Sequence, residues 1–417
     1  MTTTESRRFA SPAYAGWALG LLVLVYTSNF IDRTIVSTLG QAIKRDLQLT
    51  DLQLGLLGGL SFAVFYTALG IPIARLAERK SRVGIIAASL AVWSLMTAFC
   101  GMAQTFSQLL MARIGVGIGE AGATPAAQSL ISDTVSPERR ASALAVYSLG
   151  IPLGTLIGAA AGGWIAENLS WRVAFLIVGL PGVALALVVR FTLKEPPRGG
   201  SKEAAEAPPP PLSALLKRLA RRPSGLHMAA AASLASVAGY GIAYFIPPFL
   251  IRAHGLGLAQ AGLLTGLIGG FPGAASLLAG GWLADRLGRR DPRAYALVPA
   301  AALLLSAPLC LLAFQAGDWR IAAAMLAVAA LVQTAYLPPT FALAHNLVEP
   351  RMRASATALL FFFINLIGLG IGPTLVGGLS DRFGLKAALS LCALFYLWAA
   401  LHALLAARRL KADLAKD

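Results

Sequence analysis

The sequence predicts an all-α membrane protein of twelve transmembrane helices arranged as two similar halves. Three observations lead there. The 417 residues are 57% hydrophobic and 13% charged, with mean hydropathy +0.69, whereas soluble domains carry about 25% charged residues. Nearly uncharged runs of about 20 residues or more recur along the whole chain, each long enough to cross roughly 30 Å of hydrocarbon as a helix. Short stretches of the first half also return in the second at a nearly constant offset.

The polar start MTTTESRRFA leads into the first apolar run without the short apolar core and cleavage site of a secretory signal, so that run is expected to stay in the protein. Spans are expected at 14–40, 51–76, 83–104, 107–133, 141–166 and 172–193, then at 227–251, 258–284, 294–316, 320–346, 354–379 and 386–407. A membrane barrel would instead show ten-residue alternating segments. Cys100, Cys310 and Cys392 lie in apolar runs without CxxC spacing and read as core residues rather than disulfide or metal ligands.

Residues 194–225, KEPPRGGSKEAAEAPPPPLSALLKRLARRPSG, form the longest charged and Pro-rich break. They divide the chain into an N-terminal six-helix half (1–193), a cytoplasmic linker (194–225) and a C-terminal half (226–417). The run Pro208–Pro211 suits a semi-rigid spacer, and LSALLKRLA a short surface helix. ARLAERKSRV (74–83) matches GWLADRLGRR (281–290) at an offset of 207, and PERRASA (137–143) matches PRMRASA (350–356) at 213. Both pairs fall at corresponding loops, as a duplicated six-helix unit requires.

When loops are assigned alternately to the two sides, 26 of the 35 Lys and Arg residues share the side of the N-terminus and seven lie opposite. This bias places both termini in the cytoplasm. The net charge of +16 is thereby explained by membrane topology and does not call for nucleic acid as a partner.

GWLADRLGRR resembles the signature loop of the major facilitator superfamily. The first copy is looser, with Ala74 and Ser81 in place of glycines and Glu78 in place of Asp. Arg113, Gly117 and Gly119 are similar to the superfamily's fourth-helix motif. NFIDRTIVSTL (29–39), GIGEAGATPAAQSLISD (117–133) and YSLGIPLGTLIG (147–158) resemble bacterial members of the Spinster family, whose animal relatives carry sphingosine 1-phosphate and lysophospholipids. The resemblance implies an alternating-access carrier, monomeric, in a bacterial inner membrane. It also implies a cytoplasmic gate of Arg75, Glu78, Arg79 and Arg82 with Asp285, Arg286, Gly288 and Arg289, forming salt bridges in the outward-open state. For the first copy, arginines that serve only to orient the protein are the competing reading.

The stretch RIGVGIGEAG (113–122) also spells Gly-x-Gly-x-x-Gly, but no strand precedes it, so a dinucleotide cradle is excluded. More telling are the charges. Asp32 and Arg33 fall in the first span, Arg113 and Glu120 in the fourth, and each would cost roughly 2.5–3.5 kcal/mol unpaired near the bilayer centre. Arg113 and Glu120 lie about 10.5 Å apart on one helix face. Depth along the two spans suggests that Asp32 pairs with Arg113 in one state. Glu120, balanced between burial and a neighbouring arginine, and Asp32 are the expected proton-coupling groups; the proton is the coupling ion and no cofactor is expected. Gly150, Gly154, Gly158 and Gly162 form an every-fourth-residue stripe for packing or sliding. Gly368, Gly372 and Pro373 look like its counterpart at a bend.

Spans seven to twelve hold no charge well inside the membrane. They offer aromatic and amide groups instead, of which Tyr244, Phe245, Tyr336, Phe361 and Asn365 are the cavity candidates. An amphipathic lipid fits this asymmetry, its anionic or zwitterionic head near Arg33 and Arg113 and its tail against the apolar half. A proton-coupled multidrug or organic-anion carrier would satisfy the same features. A membrane enzyme is disfavoured because His227, His254, His345 and His402 show no paired metal spacing and no Gly-x-Ser-x-Gly is present. A passive channel would lack the duplicated halves and buried acid–base pairs.

Overall fold

Residues 11–136, 139–196, 212–349 and 352–415 are described by a computed structural model, and none of them forms a strand. Ser11 accepts the Tyr14 N–H and Pro12 opens the first turn of α1 (Pro12–Asp46). A reciprocal cap between Thr50 and Gln53 starts α2 (Asp51–Gly58), which Gly59 separates from α3 (Leu60–Arg79). Ser81 caps α4 (Arg82–Met102) and Thr105 caps α5 (Phe106–Glu120). After a turn at Ala121 and Gly122 come α6 (Ala123–Thr134), α7 (Arg140–Ser148) and α8 (Gly150–Asn168), then α9 (Trp171–Thr192), capped by Ser170. Hydroxyl caps at these starts satisfy backbone N–H groups that a helix leaves open.

The linker contributes α10 (Leu212–Ala220). Its Leu215 is buried with Val348, Met352 and Ala356, while Arg218 reaches Glu349 at 3.0 Å. The surface helix expected there exists and is docked; Pro208–Pro211 lie outside the described residues. Then follow α11 (Pro223–His254), α12 (Leu258–Gly269), α13 (Phe271–Gly288), α14 (Ala294–Gln315), α15 (Trp319–Gln333), α16 (Leu337–Asn346) and α17 (Arg353–Phe363). A π-helical turn over Ile364–Leu369 leads into α18 (Gly370–Phe383), and α19 (Leu385–Leu414) completes the chain.

Among the described residues, eleven helical stretches are long and apolar enough to cross a membrane. The fourth expected span is present as two shorter helices, α5 and α6, because the chain turns immediately after the buried Glu120. This corrects the expectation of an unbroken helix over 107–133. A helix broken at membrane depth is tolerated where it is enclosed by protein.

The chain forms two compact units. One contains residues 1–49, 61–205 and 257–266; the other contains 50–60, 206–256 and 267–417. They follow the two halves, with one short segment exchanged each way. In the first unit the α8 stripe packs on α1. A Cβ added to Gly150 would meet Tyr26 at 2.9 Å, one on Gly154 the Thr27 carbonyl at 2.5 Å, and one on Gly158 Ile31 at 2.9 Å. The stripe is therefore the seat of the segment that carries Asp32 and Arg33. In the second unit Gly372 approaches the Val237 carbonyl in the same manner, at 2.5 Å, and the π-helical turn over Ile364–Leu369 contains Gly368. Cys100, Cys310 and Cys392 are buried thiols.

Arg82, one of the expected gate residues, is enclosed within the first unit. Its side chain is 2% exposed and binds Asp133, Ser129, Glu195 at 2.6 Å and the Pro196 carbonyl at 3.0 Å. It ties α4 to the end of α6 and to the start of the linker. Burial works against the charge of Glu195, but the Arg82 guanidinium, the Val83 N–H and the Ser81 hydroxyl outweigh it and hold the carboxyl below the ordinary value of 4.5. A depressed carboxyl contributes stability above its unfolded value and loses it as pH falls through the folded one. Glu195→Gln should therefore lower thermal stability at pH 7, with the gap from wild type closing below about pH 4.5; thermal unfolding across pH checks this.

Candidate coupling and binding site

The site grows from one turn of α1. Asp32 and Arg33 are adjacent, so they point in different directions, and α1 meets α3, α4 and α5 there. Asp32 is 0%, Arg113 2% and Glu120 1% exposed. Arg33 Nε donates to Glu120 Oε2 at 2.6 Å, with the Arg33 side chain 20% exposed and that of Glu120 fully buried. This is the ion pair that the structure forms.

The expected pairing of Asp32 with Arg113 is not made as a hydrogen bond. Asp32 lies among the polar groups of Trp93, Thr97, Arg113 and Glu120. Arg33, one of the two arginines expected beside Glu120, is its partner here, and Arg113 remains a charged neighbour of Asp32.

Aromatic rings complete the surroundings. The Arg33 guanidinium carbon lies 4.7 Å from the ring centre of Tyr66, 5.0 Å from Phe62 and 5.3 Å from Phe30, while that of Arg113 lies 5.4 Å from Phe62. Each such contact contributes on the order of 0.5–2 kcal/mol. Sequence reasoning missed these rings by seeking aromatic groups only in the second half. The available signal was Phe62 and Tyr66 four apart on the second span, together with Phe30 beside the charged pair. The glycines of α5 make the close packing possible, since a Cβ on Gly119 would lie 2.6 Å from the Trp93 nitrogen and one on Gly117 2.9 Å from the Phe62 carbonyl.

The second-half candidates divide. Phe245 is fully buried, Tyr244 is buried with its ring over Gly58, and Tyr336 is buried with its hydroxyl 2.7 Å from that of Ser236. These three are packing residues in this conformation, a correction to their reading as cavity lining. Phe361 is 50% exposed and pairs with Phe341 at 4.7 Å between ring centres. Asn365 sits in the π turn and donates to the Phe361 carbonyl at 2.8 Å. Such turns frequently mark functional positions.

At the gate, Arg75, Arg79, Asp285, Arg286 and Arg289 are exposed, and the side chain of Glu78 lies outside the described ones. Asp285 accepts the Tyr295 hydroxyl at 2.9 Å, Gly288 seats the Tyr295 ring, and Arg286 covers Trp282 at 5.2 Å. These contacts lie within one loop region.

Comparison with known proteins agrees with this architecture. The family model of the Major Facilitator Superfamily matches residues 22–309. An MFS-type efflux pump of Mycolicibacterium smegmatis is 38% identical over 370 residues, covering 89% of this chain and 85% of that protein. Protein spinster homolog 1 of Mus musculus is 30% identical over 387 residues, covering 87% and 72%. A crystal structure of a bacterial homolog to the human lysosomal transporter Spinster, inward-facing and unoccupied, superimposes with a TM-score of 0.87 at 31% identity, covering 97% of this chain and 99% of that one. The chain belongs to the major facilitator superfamily and to its Spinster family. It is an integral multi-pass membrane transporter and not an enzyme.

Proposed function

We propose that this Spinster-family transporter carries an amphipathic lipid of the lysophospholipid or sphingosine 1-phosphate class, coupled to protons, by alternating access in a bacterial inner membrane. The observation that carries this reading is the Arg33–Glu120 pair: a buried carboxylate holding an arginine whose exposed edge is ringed by Phe30, Phe62 and Tyr66. When Glu120 is charged, Arg33 is held and neutralised. When Glu120 takes up a proton, its charge is cancelled and Arg33 is released to bind an anionic headgroup. Proton and headgroup thus both bind at the expense of one ion pair, the proton at Glu120 and the headgroup at Arg33, so each favours the other. The rings provide apolar walls for the first carbons of the tail.

A second reading is efflux of hydrophobic drugs, favoured by the 38% identity to the mycobacterial efflux pump. Such cargo would not need Arg33. Arg33→Ala is expected to weaken lysophospholipid binding about tenfold or more, the scale of one lost charge-assisted hydrogen bond, and to leave binding of a neutral drug unchanged. Binding titrations on purified protein check this; undiminished lysophospholipid binding removes the headgroup role.

A further inference from the structure

The two exchanged segments are fastened by the same device, used twice. In the second unit, α2 lies against α18. The carboxylate of Asp381 accepts the backbone N–H groups of Asp51 and Leu52, both at 2.8 Å. In the first unit, the beginning of α12 lies against α8, and Glu167 accepts the Ala259 N–H at 2.7 Å. Each carboxylate therefore caps the start of a helix far away in sequence, where open N–H groups and the positive dipole end favour an anion.

The seams beneath the caps correspond residue by residue. A Cβ on Gly55 would lie 2.3 Å from the Pro373 carbonyl, and one on Gly262 2.2 Å from that of Ala159; one on Gly377 would lie 2.2 Å from the Asp51 carbonyl, and one on Gly163 2.4 Å from that of Leu258. Positions 51 and 258, 52 and 259, and 55 and 262 are each 207 apart, the offset of the loop repeat. Both segments end at an interrupted helix: Gly59 follows α2 with φ −106° and ψ −107°, and Gly270 follows α12 with φ −73° and ψ −94°. One difference separates the copies. Asp51 also binds Arg252 through two N–H···O contacts at 2.6 and 2.7 Å and accepts Ser380 Oγ at 2.6 Å, whereas position 258 is leucine.

We propose that Glu167 and Asp381 are the two latches of the transporter's outer gate. Each holds the outer end of a gating helix by its N-terminus, and opening the gate to the outside uncaps both segments together, with the chain hinging at Gly59 and Gly270. Carboxylate caps suit this work. They bind backbone groups that every conformer presents, and water replaces them at small cost once the helix start is exposed. The glycine seams let the helices meet closely without interlocking side chains, so separation breaks few specific contacts. The copy with Arg252 is the firmer latch.

Hydrogen–deuterium exchange of the detergent-purified full chain tests this without any substrate, so its outcome is independent of what is carried. Asp381→Ala is expected to speed exchange of the Asp51 and Leu52 amides about tenfold, the scale of a lost cap. Because the segments open in one motion, the same variant should also speed exchange at Ala259, and Glu167→Ala should speed exchange at Asp51 and Leu52. Asp381→Asn, which keeps one acceptor, should fall between wild type and Ala. Asp318→Asn, which alters an ordinary cap within α15, should change only its own helix start. Faster exchange confined to each variant's own segment, or no change at either, overturns the proposal.

Discussion

Glu120→Gln is expected to abolish accumulation driven by a pH gradient while leaving substrate counterflow in place. The substitution preserves shape and an acceptor oxygen but removes the charge that holds Arg33 at 2.6 Å, mimicking the protonated state permanently. Charge-assisted pairs of this kind contribute about 1.5–3 kcal/mol, so the gradient-driven component should fall by roughly ten- to a hundredfold. Counterflow needs only binding and reorientation, both available with Arg33 released. Proteoliposomes loaded with labelled lysophospholipid, assayed with and without an imposed pH gradient, separate the two activities. Gradient-driven accumulation at the wild-type level would remove Glu120 from coupling.

Gly158→Val should force α1 and α8 apart beside Asp32. A Cβ there would stand 2.9 Å from both the Cα and the carbonyl oxygen of Ile31. These are backbone atoms that cannot rotate away, so α1 and α8 must part. Overpacking of this kind costs about 1–3 kcal/mol. The displacement falls on the residue before Asp32, so binding should weaken along with thermal stability. Gly20→Val on the same α1 is the control, because a Cβ at Gly20 meets nothing within 4 Å. Thermal unfolding and ligand binding on the two variants provide the comparison.

The charged centre was legible because a membrane makes charge conspicuous. Asp32, Arg33, Arg113 and Glu120 stand out against apolar spans, and cost alone argues that they gather. Their pairing was not legible. It depends on side-chain direction, which does not follow from depth along an ideal helix. Arg82 shows the same limit: as one of four basic residues in a loop it reads as a topology signal, yet it is nearly fully enclosed by Asp133, Ser129 and Glu195. Tyr244, Phe245 and Tyr336 erred in the other direction, since an aromatic residue in an apolar span carries no mark of which way it faces.

By itself, the sequence determined the membrane class, the duplication and the residues that carry charge within apolar spans. Each follows from local composition or from repetition along the chain, and the hydrophobic effect and the cost of buried charge read those directly. Only the tertiary structure decided that Arg33 takes Glu120, that Phe30, Phe62 and Tyr66 surround it, and that Asp381 and Glu167 cap helices far from them in sequence. Those contacts depend on distances of a few ångströms between segments up to 330 residues apart. Hydrogen bonds and close packing are set by such distances, and no linear pattern specifies them.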